Sequence, residues 1–227
     1  MTSMHGQTLV AAVLLVLASG TGLRAQTSRA DPVDLQSRLG AQVNVNLPRK
    51  WESSIGYEAR MVDNSSAYRG SYFSTELSHP LGKRLKGFGN YRLARVTDAV
   101  SHRFGVGVEL EAKKGPFTFS FRPTFQYQRT FLDDAEQGSR EVLRARMRAK
   151  FPATRQVTLY ASVEPYFAFA GVYPIDNWRN TAGVQWEFRK KTQVDLHYIY
   201  RPDYAKIYNR TYHIVGLAFS TDLKLPR

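Results

Sequence analysis

From residue 35 almost to its end, this sequence alternates apolar and polar residues, segment after segment. Period-two alternation is the mark of a strand with one oily and one wet face, and no segment here shows a helical period. "LQSRLGAQVNVNL" places Leu35, Leu39, Ala41, Val43, Val45 and Leu47 opposite Gln36, Arg38, Gly40, Gln42, Asn44 and Asn46. "WESSIGYEARM" repeats the pattern, with Trp51, Ile55, Tyr57, Ala59 and Met61 against Glu52, Ser54, Glu58 and Arg60. "FTFSFRPTFQYQ", "VTLYASVEPYFAF" and "WRNTAGVQWEF" behave alike. One stretch is ambiguous by itself. In "VLRARMRAKF", Leu143, Met147 and Phe151 fall four apart and the residues are good helix formers, yet bases and apolar residues also alternate strictly. Its neighbours decide for a strand.

Strands are expected near 35–47, 51–61, 71–79, 85–96, 102–112, 116–128, 140–151, 157–169, 178–189, 192–201 and 211–223. Typical lengths of about ten to thirteen residues exceed the usual soluble strand and match a tilted membrane-crossing one. The segment 85–96 is the weakest, because its glycines and Phe88 blur the faces. Short connections, such as "PRK", "KKG" and "KK", alternate with longer ones, such as "VDNSSAYRG", "LDDAEQGS" and "PDYAKIYN". Together these features predict an all-β, antiparallel up-and-down transmembrane barrel of about ten to twelve strands, with short periplasmic turns and longer extracellular loops. The count raises a parity problem. Eleven strands start the first on the loop side, whereas bacterial barrels are normally even. Either a segment within 71–96 is misassigned, or the sheet closes with a parallel pair or stays open.

A soluble barrel also alternates, with its apolar face inward. The aromatic residues discriminate. Trp51, Phe117, Phe151, Trp186 and Phe188 gather toward the short-turn end, and Phe73, Tyr127, Phe167, Phe169, Trp178, Tyr198 and Tyr200 toward the loops. Val43, Ile55, Val106, Val108, Ala145, Met147, Ala161, Val163, Ala182 and Val184 fill the middle. Two aromatic belts around an aliphatic band suit lipid interfaces, so Trp51, Phe117, Phe151, Trp178 and Trp186 are expected there.

Residues 9–18, "LVAAVLLVLA", are too short an apolar run to span a bilayer as a helix and fit the core of a signal peptide over 1–25. An uncleaved N-terminal anchor is the alternative. A polar leader (26–34) and a single barrel domain (35–227) follow. Export makes nucleic acid an unsuitable partner despite a net charge of +13, from 32 Lys and Arg against 19 Asp and Glu. Absent cysteine excludes disulfides and thiolate chemistry.

The polar face then lines the lumen. Its bases include Arg38, Arg60, Lys86, Arg92, Arg103, Arg122, Arg179 and Arg201, with Arg144, Arg146, Arg148 and Lys150 forming a ladder. The acids, fewer in number, include Glu52, Glu58, Glu76, Glu109, Glu164, Glu187 and Asp195. Glu164 is the one acid on the inward faces of the ladder's two sequence neighbours, so the ladder is poorly matched locally. The charges either pair and fill a small barrel or line a narrow passage favouring small anionic solutes. Acids in the long loops, Asp63, Asp98, Asp133, Asp134, Asp176 and Asp203, suit turns, or divalent-cation bridges to lipopolysaccharide outside. Outer-membrane lipid and lipopolysaccharide are the expected surroundings.

The alternatives to a structural or passage role are an outer-membrane lipid-modifying enzyme and a soluble periplasmic ligand-binding barrel, but catalytic machinery is sparse. His79 and His102 lie at turns, and His213 points toward lipid. His197 faces inward two residues from Asp195, which could orient it as a base, but no serine stands in a recognisable motif. No spacing suggests a metal site or a phosphate-binding loop, so no catalytic residue, metal or cofactor is expected.

The segments "LPRKWESSIGYEARM", "REVLRARMRAKF", "TLYASVEPYFAF", "NWRNTAGVQWEFRKKTQVDLHYIYRPD" and "RTYHIVGLAFSTDL" resemble a bacterial family known as domain of unknown function 2490, over roughly 35–223. The resemblance implies a small outer-membrane barrel and no particular substrate.

Overall fold

The structure, a computed structural model, describes residues 33–97, 99–132, 135–169, 175–203 and 210–224. The expected signal peptide and most of the leader lie outside these residues. So do the backbones of Asp98, Asp133 and Asp134 and the side chains of Asp176 and Asp203.

Eleven strands make one closed sheet: β1 (Val33–Asn46), β2 (Glu52–Val62), β3 (Ala67–Pro80), β4 (Leu85–Val96), β5 (Ala99–Lys114), β6 (Phe117–Leu132), β7 (Ala135–Pro152), β8 (Val157–Ala168), β9 (Ile175–Arg189), β10 (Thr192–Asp203) and β11 (Arg210–Lys224). Each pairs antiparallel with its sequence neighbours. The exception is the seam. β1 runs parallel to β11, in unbroken register from Val33↔Thr211 to Asn46↔Lys224. The odd count is therefore real, 71–96 holds the two strands expected of it, and the sheet is antiparallel except at this closure. A parallel seam sends the two ends of the sheet to opposite rims. β1 begins beside the β2–β3 turn, where Asn64 N–H donates to Asp34 Oδ1 (3.0 Å) and Ser65 donates to the Leu35 carbonyl (3.4 Å).

Three connections at this rim are tighter than the turn-forming residues suggest. β3 resumes at Ala67, β5 begins at Ala99 and β7 already at Ala135. Register shifts sit at Arg60/Met61 and Thr130/Phe131, so the β2–β3 and β6–β7 extensions each carry a bulge, while β4 and β5 pair without one.

The alternation sorts the side chains as an inside-out barrel requires. Leu39, Ile55 and Val106 are 55%, 63% and 61% exposed on the outer face, whereas Gln36, Arg38, Gln126 and Glu164 are buried inside. An apolar surface this continuous has no stable home in water. Two prolines cross the sheet at mid-strand, where proline is ordinarily excluded. Lacking an N–H, each opens a gap in the pairing. β5 and β6 skip a step around Pro123, and β7 and β8 skip one around Pro165. Both gaps fall level with Ala145, where β7 keeps its pairing with β6 and loses it with β8.

Candidate functional site: the charged interior

Among the described residues, linked cavities run along the interior. The one at the short-turn end, about 380 Å³, shares Gln42, Ser54, Glu76 and Arg122 with a central one of about 460 Å³. The central one shares Arg92 and Arg103 with a third, about 520 Å³, at the loop end. Their charges differ sharply. The short-turn cavity is lined by Glu52, Glu76, Glu109 and Asp222 against Lys86 and Arg122. The central one has six arginines (92, 103, 122, 144, 146 and 148) against Glu76, Glu164 and Asp195. The loop-end cavity also has six, at 60, 69, 92, 103, 140 and 201, against Asp34 and Asp63. The interior is thus acidic at one end and basic through the rest.

Local pairing explains how so many cations are held. At the seam between short-turn and central cavities, Arg122 reaches Glu76 at 2.5 Å and Glu109 at 3.2 Å, with its guanidinium 3.7 Å above the Phe88 ring. Phe88, which blurs the faces of β4 in the sequence, points inward and is this platform. Its ring lies over Gly107, where a side chain would collide with Phe88 and with the Pro123 carbonyl. Lys86 bonds Glu52 at 2.7 Å near the rim. Higher up, Arg144 takes Glu164 (2.5 Å) and Arg60 takes Glu58 (2.5 Å).

The ladder on β7 points inward, and Glu164 is consumed by its first rung. Arg146 makes no ion pair among the described residues and stands directly opposite Arg122 of β6. Arg148 rests over the Tyr160 ring, 4.8 Å from its centre. Lys150 faces the same way but lines none of the three cavities. Glu187 stands at the short-turn rim, where its carboxylate accepts the Lys191 N–H (3.1 Å), so it caps the β9–β10 turn. Arg38 is buried behind the cavity walls and opposes Arg60 across β1 and β2.

Sequence reasoning missed the inward aromatics. Tyr72, Tyr166 and Tyr212 are buried on the arginine face, and each carries a guanidinium on its ring. Their signal was legible: each has the strand parity of the bases, not of the oily belts. Ile199 and Ile214 form an apolar patch beside Tyr212, on the wall where β10 meets β11.

His197 Nδ1–H donates to Asp195 Oδ1 at 2.6 Å, and Tyr160 and Gln185 donate to the same carboxylate at 2.9 and 3.1 Å. The imidazole's other edge is pressed on the Gly216 backbone. Asp195 thus gathers three donors from β8, β9 and β10 and ties these strands together on the inner wall. His213 and His102 face outward and bond Tyr198 and Tyr91 at 2.5 and 2.8 Å. His79 stacks near Trp51, ring centres 4.6 Å apart. Trp51, Phe117 and Trp186 are exposed on the outer wall, and Phe151 and Trp178 face outward half-covered by neighbours. No group of three or more metal-ligating side chains occurs among the described residues.

Residues 35–212 match the family model described as "Protein of unknown function (DUF2490)". The chain belongs to that family. Among solved structures it is similar to the NanC porin, at 12% identity and a TM-score of 0.50 over 74% of this chain and 86% of that one. It is also similar to OccAB4 of Acinetobacter baumannii, at 14% identity and a TM-score of 0.34 over 72% and 49%, so the chain spans about half of that protein. No curated protein matches the sequence. The DUF2490 chain therefore has the fold of a porin-type outer-membrane barrel.

Proposed function

We propose that this DUF2490 protein sits in the outer membrane and provides a narrow passage that favours small anions. The observation that carries the reading is the central cavity, where six arginines face three carboxylates and which opens into a second arginine-rich cavity. Permanent guanidinium charge in a confined, partly desolvated space attracts anions and repels cations. Eleven strands give a bore between the filled barrels of about eight and the open ones of sixteen or more. The apolar outer wall and its exposed Trp51, Phe117 and Trp186 support burial in lipid, with lipopolysaccharide around the loop end. His197 is braced between Asp195 and the Gly216 backbone, which favours passage over catalysis.

The test is reconstitution into planar bilayers under a salt gradient. A reversal potential on the anion side is expected, moving toward the cation side in Arg146→Glu. Absence of conductance steps, or selectivity indifferent to that substitution, would sink the passage.

A further inference from the structure

Arginines from separate strands converge where the central and loop-end cavities meet. Arg92 and Arg103 stand directly opposite each other across β4 and β5, and Arg38 and Arg60 do so across β1 and β2. Like charges in such pairs oppose strand pairing. The two pairs belong to one cluster: Arg103 feels the charges of Arg92, Arg144 and Arg179, and Arg38 those of Arg60, Glu58 and Arg179. Arg60 and Arg144 are bonded to carboxylates there, Glu58 and Glu164. Arg38, Arg92, Arg103 and Arg179 make no ion pair among the described residues. The Nε atoms of Arg38, Arg103 and Arg179 are moreover buried without a protein acceptor.

Cations crowded this way persist when their shared partner is a ligand. The tyrosines are placed to serve one. Arg60 lies 3.7 Å and Arg92 5.7 Å from the Tyr72 ring centre, and Arg179 4.4 Å and Arg144 4.9 Å from that of Tyr166. A ring beneath a guanidinium fixes its plane without using its N–H groups, which stay available as paired donors. Planar forks held in a ring match oxyanions, which accept two parallel bonds from each, better than halides.

We infer that this arginine girdle is a binding site for a multivalent oxyanion, a phosphate ester or a polycarboxylate, seated where Arg92 and Arg103 line both cavities. The inference rests on the proposed passage, in that solute must reach the girdle from the lumen. A single negative charge leaves most of the cluster unbalanced, so the site discriminates by valence. An occupant there stands in the path and slows smaller anions.

The experiment uses protein refolded without lipopolysaccharide into detergent micelles, with inorganic pyrophosphate and citrate as probes and chloride at matched ionic strength as the control. Pyrophosphate or citrate is expected to raise the thermal unfolding midpoint, and the stronger probe names the class. Arg103→Gln should weaken that response at least ten-fold, Arg103→Lys should weaken it less, and Lys86→Gln at the other end should leave it unchanged. An equal rise with chloride, or a full response in Arg103→Gln, would overturn the site. Single-channel recording separates the two readings. Pyrophosphate binding without any anion current removes the passage and keeps the site. Anion current that pyrophosphate neither blocks nor slows, with no thermal response, removes the site and keeps the passage.

Discussion

The two ends of the interior solve opposite problems with the same residue type. At the short-turn end a cation is scarce and fully used: Arg122 serves Glu76, Glu109 and the face of Phe88 together. Toward the loops cations are in excess, and Arg92 and Arg103 have no carboxylate within ion-pair distance among the described residues. One end is therefore built for stability. The other holds its charge at a cost, because buried charge without a partner is unfavourable. The difference marks where the structure has been spent on something other than folding.

The comparison depends on which rim faces out, so the largest expected effect is all-or-none labelling. The chain has no cysteine, so single cysteines report cleanly. With a membrane-impermeant maleimide on intact cells, Ser65→Cys at the loop rim should label and Gly82→Cys at the short-turn rim should not. Val33→Cys should follow Ser65→Cys, because the parallel seam puts the start of β1 at the loop rim. Labelling of Val33→Cys and Gly82→Cys from one side would refute the odd closure.

Stability should then separate the two kinds of arginine. Arg122→Leu strands two carboxylates and uncovers Phe88, and should cost about 3 kcal/mol or more. Arg146→Leu removes a cation that opposes Arg122 and has no ion-pair partner, so it should be neutral or stabilising. Urea unfolding in lipid vesicles, followed by tryptophan fluorescence, measures both. Equal losses would erase the distinction between the paired arginine and the unpaired one opposite it. In the same assay Gly107→Val should cost about 1–3 kcal/mol, because the added side chain meets a carbonyl that cannot move aside as well as the Phe88 ring.

Much of this was legible in residues, and the failures have physical causes. Alternation located all eleven strands because each crosses an apolar medium on one side only. It lost the strand ends at Ala67 and Ala135, where "AYRG" and "AEQGS" read as parts of loops. Beyond the apolar band both faces of a strand meet water, so period-two patterning disappears while the hydrogen bonds continue. The parallel seam was one of several possibilities, since pairing of the first and last strands leaves no local signature. The inward bases followed from parity alone, and Arg144, Arg146, Arg148, Arg122 and Glu164 all face the interior. The axial separation of charge did not follow, because it depends on the stagger between strands. Neither did the inward tyrosines, hidden by the assumption that rings belong with lipid.

The smallest effect concerns the short-turn rim, where local geometry is also under tension. Lys190 and Lys191 join β9 to β10, and Lys191 adopts φ of 66°, a left-handed conformation that a side chain disfavours. Its N–H is anchored by the Glu187 carboxylate. Lys191→Gly keeps that donor and removes the clash between Cβ and the backbone, so it should stabilise the barrel by about 1 kcal/mol. Glu187→Gln keeps an acceptor of the same shape and should change little, whereas Glu187→Ala should cancel the gain when combined with Lys191→Gly. The same urea titration resolves the three. A loss of stability in Lys191→Gly would mean that the lysine side chain, rather than the Glu187 anchor, holds this turn, and the acidic rim would then owe its geometry to charge as much as to backbone.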